Sequence, residues 1–246
     1  MSSVFSTFHI VFKCPSYISY YYGSIATEYS TKKILFADMD LRNRKAVLPG
    51  DIKELIIDCC QLGGTVGSCL CSVFSSYGHN NNNNPHQIER LDISSCTNVE
   101  YLCCFSGSCP FSHLTHLEIR YCDNMETLMT PRSLVLLQNL RTIHVQSCWE
   151  MKEIVGEDDH SKMELGGSGD LSHPTPITLP RLTSLELCLM PQLNSVYKGV
   201  MLCPSLQTFA ALFCEILNRP RIEISNGCEL PMEKTSTGYR WEIKTD

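Results

Sequence analysis

Apolar and polar positions along the chain fall into one nine-residue phrase, written six times. Its order is aliphatic, two variable, aliphatic, one variable, aliphatic, two variable, then in most copies cysteine. The copies run from Ile52 to Cys60, Ile88 to Cys96, Leu114 to Cys122, Leu140 to Cys148, Leu182 to Met190 and Leu206 to Cys214. Within each copy the alternation is that of a short strand: Leu117 and Ile119 point one way, Glu118 and Arg120 the other. Further apolar anchors follow three residues apart, as in Val99 and Leu102, Met125 and Leu128, Met151 and Ile154, Leu193 and Val196. That spacing predicts a helical turn or an irregular return path. The run Ser133 to Leu137 predicts a short helix capped by Thr130 or Ser133.

Where the phrases are uninterrupted they recur every ~25 residues, within the period of leucine-rich repeats. The predicted fold is an α/β repeat. It is a curved leucine-rich-repeat solenoid, with short parallel strands on the concave face and irregular or short helical convex segments. Residues 1–47 read as a degenerate N-terminal repeat region, 48–217 as the repeats and 218–246 as a C-terminal cap. Segments 63–85 and 156–178 interrupt the period; rich in Gly, Ser, Asn, Pro or acidic residues, they read as surface loops. Ile34-Leu-Phe36 resembles a worn repeat strand, and Met1 reads as a cut through a longer array. Ile222-Glu-Ile224 and Tyr239 to Ile243 are expected as strands covering the last repeat.

A net charge of -6 weighs against nucleic acid, which selects a basic face. No stretch approaches 18 consecutive apolar residues, so no membrane span is expected. The stretch Val4 to Phe12 lacks the basic start and small-residue cleavage site of a signal peptide. Fifteen cysteines would point to disulfides in a small secreted chain. Here the repeat accounts for many of them: the ninth-position cysteines act as small buried residues whose thiols meet turn backbone. The odd total and the adjacent pairs Cys59-Cys60 and Cys103-Cys104 fit a reducing, cytoplasmic setting. Cys69-Leu-Cys71 and Cys103-Cys104 lack zinc-ligand pairing, so neither metal nor cofactor is expected. A nucleophile, base and orienter need to converge, whereas a sheet face spreads its side chains; G-x-S-x-G and HExxH are absent, and no enzyme is expected.

At the level of whole phrases the chain resembles the C-terminal leucine-rich repeats of plant disease-resistance proteins of the coiled-coil, nucleotide-binding type. The residues that carry this are Leu137-Gln-Asn-Leu140-Arg-Thr-Ile143, Cys148-Trp-Glu-Met151-Lys-Glu-Ile154-Val-Gly156-Glu with its acidic insert, Leu179-Pro-Arg-Leu182-Thr-Ser-Leu185-Glu-Leu187, and Leu189-Met-Pro-Gln-Leu193. Tyr29 to Ile34 and Leu48-Pro-Gly-Asp-Ile52 are similar to its middle repeats. The resemblance covers most of residues 28–217. It implies recognition of a pathogen effector or a guarded host protein, and restraint of a nucleotide-binding switch. The sequence departs from the family in carrying no G-x-x-x-x-G-K-[ST] loop and no heptad run, so the switch would be a nucleotide-binding domain in trans.

Candidate protein-binding residues are the outward strand positions. They are Arg90, Asp92 and Ser94; His116, Glu118, Arg120 and Tyr121; Thr142, His144 and Gln146; Ser184 and Glu186. Arg120 and Tyr121 lead, because Arg and Tyr are favoured at interface hot spots. Replacing both with Ala is expected to weaken binding while sparing stability. A substrate adaptor for ubiquitin ligation is the rival reading, although its usual I-T-D after the cysteine is missing from Cys96-Thr-Asn, Cys122-Asp-Asn and Cys148-Trp-Glu. A secreted inhibitor or receptor ectodomain is the second rival, for which the signal peptide is missing, and a truncated product without independent function is the fourth reading.

Overall fold

A computed structural model describes residues 9–13, 33–41, 52–62, 88–99, 102, 111–156, 174–225 and 228–242. The inserted segment 63–85, residues 157–173 of the segment 156–178, the Arg42-Asn-Arg-Lys45 cluster, and Cys69, Cys71, Cys103 and Cys104 lie outside them; the end of the second segment, expected as loop, holds the short strand Ile177–Thr178.

Each nine-residue phrase places a five-residue strand on one sheet. β1 (His9–Lys13), β2 (Lys33–Ala37), β3 (Glu54–Asp58), β4 (Arg90–Ser94) and β5 (His116–Arg120) stack side by side. β5 pairs in turn with β7 (Thr142–Gln146), followed by β10 (Ser184–Cys188) and β13 (Thr208–Leu212). All of these pairings are parallel and in register, so equivalent residues of successive repeats stand abreast. The first, fourth and sixth positions of all six phrases are buried, among them Leu91, Ile93, Ile119 and Val145 at 0% exposure. Their removal from water, about 25 cal/mol per Å² of apolar surface, drives the stacking.

The turn out of each strand is equally regular. The eighth position adopts a left-handed backbone in every phrase: Cys59, Ser95, Tyr121, Ser147, Leu189 and Phe213 have φ between 51° and 56°, and Asp38 after β2 has φ 53°. There its N–H bonds to the neighbouring strand, as Tyr121 N does to Gln146 O at 3.1 Å. The ninth position then points inward. The thiols of Cys60, Cys96, Cys122, Cys148 and Cys214 each donate to the carbonyl two residues back, at 3.2–3.5 Å. Burial pushes the Cys122 thiol up to about 12 and Cys148 to about 11, so both stay protonated. Met190 fills the same site in the fifth phrase, fully buried.

The return path differs from the expected helical turn. Three-residue strands β6 (Thr127–Met129), β8 (Glu153–Val155) and β11 (Ser195–Tyr197) form a second parallel sheet. The spacing of three arises because a tight turn precedes the strand: Met125 N bonds to Cys122 O and Met151 N to Cys148 O, both at 3.3 Å. A buried side chain at the middle of each strand then follows, Leu128, Ile154 or Val196. A third sheet holds β9 (Ile177–Thr178), β12 (Met201–Leu202), β14 (Ile222–Ser225) and β15 (Cys228–Glu229).

Among the described residues, helix is confined to α1 (Pro131–Leu134). Thr130 caps it, accepting from Ser133 N at 3.3 Å while its own N–H donates to Ser133 Oγ at 2.9 Å. Pro131 fits the first turn, where no backbone donor is needed. At the C-terminal side of the main sheet, β17 (Gly238–Glu242) pairs antiparallel with β13, and β16 (Glu233–Thr235) pairs with β17.

Candidate recognition surface

Register sorts the outward side chains of the main sheet into three rows. The first runs Lys33, Glu54, Arg90, His116, Thr142, Ser184 and Thr208. The second runs Asp92, Glu118, His144, Glu186 and Ala210 across β4 to β13, and the third Asp58, Ser94, Arg120, Gln146 and Cys188 across β3 to β10. All the candidate positions but one fall in these rows. Tyr121 instead occupies the left-handed turn beside them, 52% exposed.

The charged members are engaged with one another. Lys33 Nζ lies 3.2 Å from Glu54, and Arg90 joins Glu54 at 3.5 Å to Glu118 at 3.0 Å. Arg120 approaches Glu118 at 3.4 Å, and its Nη2 donates to both Asp92 oxygens at 3.1 and 3.2 Å. Glu118 is the hub, with His144 Nδ1 a further 3.9 Å away. Glu54 and Lys33 belong to this chain of charges although the strand pattern alone did not single them out. The available signal was their position, third in the phrase and first of β2, level with Arg90.

This geometry changes the meaning of two candidates. Asp92 is only 8% exposed, and burial raises its carboxyl above the ordinary range, partly offset by Arg120. Arg120 is therefore a counter-charge to Asp92 as well as a surface residue, so its removal is now expected to cost stability rather than spare it. Tyr121 has no such commitment.

Farther along the sheet the face is less paired. Arg90, His116, Glu118, Thr142, His144 and Glu186 line a shallow depression of about 200 Å³ across β4, β5, β7 and β10. The Thr115 hydroxyl donates to Glu89 O at 2.9 Å and sits 2.7 Å from His116 Nδ1. Its one proton being given to Glu89 O, the Thr115 hydroxyl accepts from His116 Nδ1–H, which leaves Nε2 of the neutral ring as an acceptor. Burial, then Arg90 and Arg141, lower the His116 pKa. Glu186 accepts from Ser184 Oγ at 3.1 Å. The depression thus offers two carboxylates, the Arg90 guanidinium and two imidazoles, in dimensions that suit a side chain of another protein. Among the described residues no group of three His, Cys, Asp or Glu could hold a metal ion.

A ladder of in-register short strands with an inward ninth residue defines a leucine-rich-repeat protein. Residues 87–219, more than half of the chain, match the family described as plant disease resistance protein RPS2-like, leucine-rich repeats, and the chain belongs to that family. The similarity of Tyr29 to Ile34 and Leu48 to Ile52 lies outside the matched residues. No curated protein and no solved structure matches the chain.

Proposed function

We propose that this chain is a non-enzymatic recognition module of plant innate immunity, working in the cytoplasm through protein contacts on the outward face of the main sheet. Family membership supports the immune role, and the registered rows of outward side chains over β4, β5, β7 and β10 support recognition there. A concave outward face, as repeat solenoids present, would gather these rows toward one partner. The partner is a pathogen effector or a guarded host protein. The repeats restrain a nucleotide-binding switch of the coiled-coil type, as the family membership suggests.

Proximity labelling in leaf cells tests this reading. Ser184→Arg with Glu186→Lys fills the depression with bulk and inverted charge without touching an ion pair of the network. The wild-type chain is expected to label a partner set that this variant loses, both proteins showing the same circular dichroism and Tm. An identical set from both would overturn recognition at this face.

A further inference from the structure

Beside the sheet face, where the strands turn inward, the molecule exposes a second surface. Tyr121, Trp149, Leu189, Phe213 and Ile216 are exposed, Trp149 at 57% and Phe213 at 51%. They occupy the exit turns of β5, β7, β10 and β13, which are neighbours in the sheet. Four strands at about 4.8 Å spacing make a strip ~14 Å long. An exposed apolar strip of this kind is uncommon on a molecule without a partner there.

The backbone adds a second argument. Tyr121, Leu189 and Phe213 sit in the left-handed conformation, with φ of 54°, 56° and 55°. That region disfavours side chains bearing a Cβ and tolerates Gly, Asn or Asp best. A backbone bond within the fold holds each of these turns, as Tyr121 N to Gln146 O at 3.1 Å and Leu189 N to Leu212 O at 3.0 Å, and Ser95 and Ser147 fill the same turn position, so folding asks for no bulky side chain there.

Charge specifies the partner's chemistry. Asp123, Glu150 and Glu215 lie in the same exit turns, all exposed. None of them forms an ion pair among the described residues; Asp123 accepts only from Trp149 N, at 3.3 Å. The lysine nearest in sequence to Trp149, Lys152, is committed to Glu126 at 2.8 Å. Arg219 follows Ile216 at one end of the strip.

We infer that this strip docks a protein segment with apolar side chains flanked by Lys or Arg, at a site separate from the registered rows. The inference rests on the recognition reading above and names the chemistry of a second contact. Trp and Tyr supply the anchors such contacts favour, and the three carboxylates select against acidic segments and anionic membrane surfaces.

A displayed library of random peptides of ~12 residues, long enough as a helix to cover the strip, tests it against the full chain. Recovered peptides are expected to be enriched in aliphatic or aromatic residues together with Lys or Arg. Trp149→Ser, Leu189→Asn and Phe213→Asn combined should lower recovery by about tenfold or more. The same Asn substitutions suit the left-handed turn, so Tm should hold or rise while binding falls. Asp123→Lys with Glu150→Lys should abolish the basic preference. Peptides lost only with Ser184→Arg/Glu186→Lys would overturn the strip and leave recognition standing, whereas no peptide above background from any variant would overturn both. A dimer in sedimentation that these strip variants abolish would also overturn it, assigning the surface to a second copy of the chain.

Discussion

A carboxylate only 8% exposed, Asp92 needs a counter-charge, and Arg120 supplies it through two hydrogen bonds. Arg120→Ala should therefore cost about 1–2 kcal/mol at neutral pH, toward the low end of a charged hydrogen-bonded pair because the arginine is part-exposed. The sign with pH follows from the shift. Burial already raises the Asp92 pKa, and loss of Arg120 removes an influence that lowers it. The variant's native state then binds the proton more tightly than its unfolded state, so its stability improves as pH falls through the raised value. Chemical denaturation of both proteins across the acid range should show the deficit narrowing on acidification. The sequence displayed Asp92 and Arg120 as outward residues but hid their pairing, because the contact joins strands 28 positions apart. It likewise hid the strip: Trp149 and Ile216 lie outside the period-two alternation that marked the strand face.

Among the elements, the main-sheet strands were legible and the return strands were not. Positions four and six of a phrase, such as Leu91 and Ile93 or Ile143 and Val145, alternate clearly over five residues and are uniformly buried. β6, β8 and β11 have three residues each, too short for any alternation to appear. The adjoining turn then mimicked a helical spacing. α1 was legible through its cap, though it begins at Pro131 and ends at Leu134 rather than continuing through Leu137. The C-terminal strands illustrate a different constraint. Gly238 has φ 142°, and a Cβ there would stand 1.9 Å from Ala211 O on β13. Gly238→Ala should therefore prise β17 from β13, with a loss of about 1–3 kcal/mol. Thermal unfolding checks the loss. Hydrogen exchange should place it in β13, β17 and β16, with β4 and β5 unaffected, because repeats chiefly lean on their neighbours.

In the molecule as a whole, the repeat turns a local phrase into a long sheet whose outward face is free of the packing that fixes its inward face. Folding demands only the inward positions, so the outward ones can carry recognition. The acidic balance of the whole chain and the alternating charges of its first strands are consistent with a face that selects a protein by complementarity. The decisive experiment is footprinting of carboxylates and imidazoles, with and without the partner recovered by proximity labelling. With recognition on the outward face, Glu186, His116 and His144 should lose reactivity in the complex while Glu229 and Glu233 keep theirs. Unchanged reactivity at those three residues, with protection elsewhere, would contradict it.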